Sequence, residues 1–229
     1  MLAGVISLGV IVTIAFLVVR VMKGGLQGMF LKAFASVCFI CTAFAAFSYN
    51  RENFSYGVLM IIGLILSLLG DIWLDLKFVY REDETTFTFA GFICFLVGHC
   101  FFISAVFLGY ETFKPMYALI AVGVSALFIL ASLGLEKIAK LDYGKYKLIS
   151  MAYSFFVSGT MVASIIGMVV GGFTKKYIVL TVGSIAFLLS DVVLSGIYFK
   201  KDGNTKSAVI LNHVLYYFAQ FALASTLLM

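Results

Sequence analysis

Two aspartates stand inside apolar runs, Asp71 in Leu-Leu-Gly-Asp-Ile-Trp-Leu at 68–74 and Asp191 in Leu-Leu-Ser-Asp-Val-Val-Leu at 188–194. A carboxylate at membrane depth costs a few kcal/mol or more unless it faces a cavity, pairs or takes a proton, so its presence argues for a purpose. Two carboxyls sharing a site of low dielectric divide into one protonated and one charged partner, the arrangement needed for general acid and base work. Asp75 follows Asp71 by one helical turn and shares its face, which puts it at the entrance to the same cavity. His99 lies 28 residues after Asp71 and Gln220 lies 29 after Asp191, each near the middle of the next apolar run. Both are candidates for orienting water or substrate, as is Tyr217, which with Tyr216 and Gln220 recurs at helical spacing. Asn212 and His213 fall near the edge of the last run and read as interfacial.

The elements that carry these residues follow from composition. The chain has 229 residues, 63% hydrophobic and only 12% charged, against roughly a quarter charged in a soluble domain. A bilayer core takes about 20 apolar residues per helix. The sequence offers spans at 2–22, 31–48, 56–78, 87–108, 115–135, 148–171, 177–199 and 208–228. The expected fold is therefore all-α, a polytopic membrane protein of about eight transmembrane helices in one domain, 1–229. Pro115 starts a span, where its missing N–H costs little. The first run lacks a basic region before it, so it reads as a retained span rather than a secretory signal.

Eight spans put both termini on one face. Twelve basic residues then fall on the opposite face (Arg20, Lys23, Lys32, Lys77, Arg81, Lys137, Lys140, Lys145, Lys147, Lys200, Lys201, Lys206) and four on the terminal face (Arg51, Lys114, Lys175, Lys176), which accounts for all 16. The positive-inside rule makes the richer face cytoplasmic and the termini extracytoplasmic. Counting back from Phe78 and Phe199 at about 1.5 Å per residue places Asp71 and Asp191 at one depth, roughly 10–12 Å inside the cytoplasmic boundary. With the matching motifs and direction of travel, this suggests a parallel tandem repeat of four helices, halves 1–110 and 111–229, with the site at their junction.

Other chemistries lose ground. There is no G-x-S-x-G, no H-E-x-x-H and no P-loop pattern. Two histidines cannot make a three-histidine zinc site, so no metal or cofactor is assigned, although Asp/His ligation of another metal stays open. Cys38, Cys41, Cys94 and Cys100 all lie in apolar runs and read as small buried residues. The net charge of +5 is explained by basic loops beside anionic lipid, with no nucleic-acid partner.

At Gly70-Asp71 with Leu74, Phe92 to Gly98-His99, Ser190-Asp191 with Leu194, and Tyr217 to Gln220 with Ala224, the chain resembles the YhhN family of membrane proteins, over roughly residues 60–228. Its characterised members are lysoplasmalogenases. Where the family pattern favours a tyrosine three residues after the histidine, this chain has Phe102, so no hydroxyl role is assigned there. The resemblance implies hydrolysis of the vinyl ether bond of a lysoplasmalogen to a fatty aldehyde and a glycerophospho-ethanolamine or -choline. Such a bond is cleaved by protonating its β-carbon and capturing the resulting oxocarbenium ion with water, which calls for one carboxylic acid and one carboxylate. Asp71 and Asp191 are the expected pair, with the roles of acid and base open between them. The lysophospholipid's phosphate head group would reach the cytoplasmic mouth, where Lys77, Arg81 or Lys200 can meet it, although topology alone also explains those residues. A proton-coupled transporter using the same acids is the alternative reading, and a non-catalytic lipid-binding scaffold a third that leaves the aspartates unexplained.

Overall fold

A computed structural model describes residues 2–229. Eight helices follow one another: α1 Leu2–Met22, α2 Gly25–Tyr49, α3 Phe54–Leu76, α4 Glu84–Leu108, α5 Pro115–Ile138, α6 Lys147–Val170, α7 Lys175–Phe199 and α8 Lys206–Ser225. All eight are long and apolar enough to cross a membrane. Among the described residues the only β feature is an isolated bridge between Leu141 and Lys200.

Local signals account for the helix ends. The side chains of Asn53 and Thr205 accept the backbone N–H of Tyr56 and Ala208, satisfying donors that α3 and α8 leave open. Pro115 occupies the first turn of α5. The second span differs most from expectation, beginning at Gly25 rather than residue 31. Gly24 and Gly25 both take positive φ, 62° and 64°, so two residues suffice to reverse the chain and the helix starts sooner. Lys32, expected at the edge of a span beginning at residue 31, is thereby drawn well inside α2 and is buried.

The tightest helix pair positions the site. Gly63 and Gly70 on α3, and Gly91 and Gly98 on α4, each recur at seven residues, and a β-carbon at Gly98 would lie 3.2 Å from the Gly63 carbonyl oxygen. Small residues let the two backbones approach, which drives helix association in lipid. Gly70 accommodates the ring of Phe95, and Asp71 follows it. At the opposite extreme, α5 buries only Tyr117, Ala121 and Ser125 and leans on α6 from the outside. The outer surface carries many exposed large apolar side chains, among them Ile11, Phe34, Leu119, Leu127, Val182 and Phe218. The cysteines correct one expectation. All four are free, but only Cys38 is buried, Cys94 and Cys100 are half-buried, and Cys41 is exposed, because it lies about 60° round the helix from Cys38 and past the edge of the buried face.

Candidate active site

A cavity of about 640 Å³ opens at the end of the bundle formed by the α1–α2, α3–α4 and α7–α8 connections, and both Asp71 and Asp191 line it. That volume lies within the usual range for a small-molecule pocket, roughly 300–1,000 Å³. The two carboxyls face one space, yet no hydrogen bond joins them, and their surroundings differ sharply.

Asp71 is 2% exposed and fully engaged. Its Oδ2 accepts from the hydroxyls of Ser36 and Tyr216, each at 2.6 Å, and its Oδ1 lies 3.2 Å from Lys32 Nζ. The same ammonium sits 3.2 Å from Asp75 Oδ1. Asp75 also receives both guanidinium nitrogens of Arg20, at 3.1 and 3.0 Å. A chain of alternating charge thus runs Arg20–Asp75–Lys32–Asp71, two cations against two carboxylates. Burying ions is tolerable when every partner is present and the spare donors are met, as here.

Asp191 has much less. Its Oδ2 accepts from Tyr153 at 2.7 Å, and among the described residues no cation lies within ion-pair distance of it. It is half-buried and opens on the cavity. The remaining wall is aromatic on one side, through Phe92, Tyr146, Tyr153 and Tyr198, and basic at the mouth, through Arg20, Lys23, Lys77, Arg81 and Lys206. Just beyond the end of α3, burial holds the Lys77 ammonium down to about 8.

The other sequence candidates fall in several places. Asp75 lies behind the cavity wall, in the ion-pair chain. Tyr217 also lies behind the wall, its hydroxyl donating to the Lys32 carbonyl at 3.1 Å and standing 3.3 Å from Ser36 Oγ. His99 and Gln220 are fully buried and absent from the cavity wall. His99 Nδ1 is 2.9 Å from Thr160 Oγ1, while its Nε2 and both amide atoms of Gln220 meet no partner. Asn212 and His213 do line the cavity. Asn212 donates to the Ser190 carbonyl at 2.8 Å, which fixes α7 beside Asp191. Arg81 lines the mouth, whereas Lys200 is exposed outside it and is tied by its backbone to Leu141.

Arg20, Lys32, Ser36 and Tyr153 were not singled out from the sequence. Lys32 carried one usable signal, since it is the only charged residue in the stretch from Leu26 to Phe47, which can be read as one long helix. Tyr153 carried none, as one of 12 tyrosines.

Fold and site together define a class, a polytopic helical membrane protein with a carboxylate-lined cavity opening at one end of its bundle. The chain belongs to the YhhN family, which it matches over residues 7–227. That match takes in α1 and α2, the helices that supply Arg20, Lys32 and Ser36. Comparison with curated proteins and with solved structures finds no match.

Proposed function

We propose that this protein is a lysoplasmalogenase-type hydrolase that cleaves the vinyl ether bond of a lysophospholipid. The observation that carries this reading is the contrast between two carboxyls in one cavity. Asp71 meets an ammonium and two hydroxyl donors, surroundings that suit a carboxylate in the resting protein. Asp191 has one hydroxyl partner and no cation, which leaves its second oxygen free to carry a proton into the cavity.

In the proposed reaction Asp191 gives its proton to the β-carbon of the alkenyl chain; the C=C π pair becomes the new C–H bond, and a lone pair of the ether oxygen stabilises the electron-poor α-carbon as an oxocarbenium ion. The Asp71 carboxylate steadies that cation and takes a proton from the water that attacks it. The hemiacetal so formed passes its hydroxyl proton to the ether oxygen and separates into aldehyde and glycerol hydroxyl. Return of the proton from Asp71 to Asp191 restores both groups, and the net change is the addition of one water. Tyr153 positions the Asp191 carboxyl, and Ser36 and Tyr216 position that of Asp71. The basic mouth, under the positive-inside rule, is assigned to the cytoplasmic side, with the alkenyl chain among the apolar helices.

The test uses purified protein in detergent supplied with lysoplasmalogen. Wild type is expected to release fatty aldehyde, and Asp71→Asn and Asp191→Asn each to abolish release while the protein stays folded by thermal unfolding. Turnover that survives either change refutes the two-carboxyl mechanism. Absence of turnover, with pH-driven proton flux in liposomes, supports the transporter reading instead.

A further inference from the structure

Two lysines in the cavity wall are buried, and only one of them is neutralised. Lys32 stands between two carboxylates. Lys77 is 7% exposed, yet among the described residues no carboxylate lies within ion-pair distance of it. Its Nζ instead lies 3.4 Å from the centre of the Tyr198 ring and 5.2 Å from that of Phe78. Ring faces recover only part of what removing an ammonium from water costs. Glu84 of the same wall is exposed and makes no ion pair with Lys77, so the buried ammonium stays open to a counter-charge carried by a ligand.

The geometry points to Lys77, with Arg81 beside it at the mouth, as a phosphate-binding subsite of this cavity, built for the mono- or diester phosphate of a ligand whose apolar end lies deeper. Three observations define the ligand. The cavity wall carries Arg20, Lys23 and Lys206 as well, with Glu84 the only acid besides the two aspartates, so its mouth selects anions. The lone buried ammonium is a point charge suited to a phosphate oxygen, and Arg81 offers the planar fork that binds two. The aromatic ring beneath Lys77 fixes its direction without competing for its protons. The subsite deepens the proposed reaction by fixing the polar end of the substrate, and rests on that reading for the kinetic arm of the test alone.

The binding arm titrates the purified protein in micelles with inorganic phosphate, glycerophosphoethanolamine and lysophosphatidylethanolamine, followed by calorimetry, with monoacylglycerol as the uncharged control. Wild type is expected to bind a phosphate-bearing probe, and Lys77→Met to weaken it by about tenfold to a hundredfold, the range of one charge-assisted hydrogen bond. Lys77→Arg keeps the charge and is expected to restore most of the affinity, which separates a lost subsite from a damaged fold. Lys201→Met, exposed and outside the cavity, is expected to change nothing. Binding of the soluble probes identifies free phosphate as sufficient; binding of the lysophospholipid alone identifies a lipid-borne one. No phosphate binding by wild type, or affinity unchanged in Lys77→Met, overturns the subsite. In the kinetic arm, Lys77→Met is expected to raise KM for lysoplasmalogen with kcat nearly unchanged. If wild type releases no aldehyde, the reaction fails while the binding arm still decides the subsite.

Discussion

Replacing Lys32 by methionine isolates the energetics of the buried charges. The substitution keeps the volume and removes an ammonium that faces Asp71 and Asp75 at 3.2 Å each. Asp75 retains the two-pronged Arg20 pair, so its charge stays balanced. Asp71 keeps only the hydroxyls of Ser36 and Tyr216 and becomes an uncompensated buried carboxylate. Breaking a buried pair in this way costs about 3–5 kcal/mol, a factor on the order of 10² to 10⁴ in the unfolding constant. Asp71→Asn alone leaves Lys32 and Arg20 crowding one carboxylate and is expected to cost nearly as much. The double variant restores one cation to one carboxylate, so its total loss should be smaller than either single loss. Reversible unfolding in detergent, run as a double-mutant cycle, reads the coupling directly. Losses that simply add would refute the ion-pair chain and with it the view of Asp71 as charged in the resting protein.

Tyr153→Phe removes the one side-chain hydrogen bond that Asp191 accepts among the described residues, and aldehyde release is expected to fall by about tenfold to a hundredfold with KM and thermal stability little changed, as steady-state kinetics and thermal unfolding will tell. Gly98→Leu sets a side chain against the Gly63 carbonyl and Leu66; forcing α3 from α4 should cost about 1–3 kcal/mol and reduce turnover, both absent in a Gly123→Leu control that meets open space. Lys77, held down to about 8 by burial, is faced by Glu84 of α4, Tyr146, Lys32 of α2 and Asp75 of α3, with Tyr198 of α7 against it. It is cationic below that value and neutral above it, so KM for a phosphate-bearing substrate should rise as pH increases from 7 to 9, and Lys77→Arg should flatten that rise.

The spans were legible because lipid leaves little choice of structure, and twenty apolar residues in a row have one common solution. Asp71 and Asp191 were legible for the same reason inverted, since a carboxylate in such a run stands out. Their partners were not. The positive-inside count assigns every lysine to a face, so it left Lys32 at the cytoplasmic edge of the second span, and only the two-residue turn at Gly24–Gly25 moves it well inside α2. Arg20, in the last turn of α1, looked like an anchor at the span's edge, and nothing local to it reports Asp75 on another helix. Helical periodicity gives the face on which Tyr153 lies but not the helix it meets. The matched spacings of His99 and Gln220 led to the interior of the bundle, where both have buried atoms without partners, and not to the cavity wall.

The charge count inside the bundle ties the two aspartates to the lysine at the mouth. Asp71, Asp75, Arg20 and Lys32 cancel among themselves, which leaves Asp191 and Lys77 unpaired inside the cavity, apart from the exposed charges at its mouth. They are too differently placed to form an ion pair, so each is open to a partner from outside the chain. A proton satisfies Asp191 and a phosphate satisfies Lys77. A phospholipid whose reactive carbon takes up that proton, while its phosphate remains at the mouth, answers both needs at once. A neutral ether of the same chain answers only the first, and comparing the two as substrates measures how far the unmatched lysine orients the carbon that Asp191 protonates.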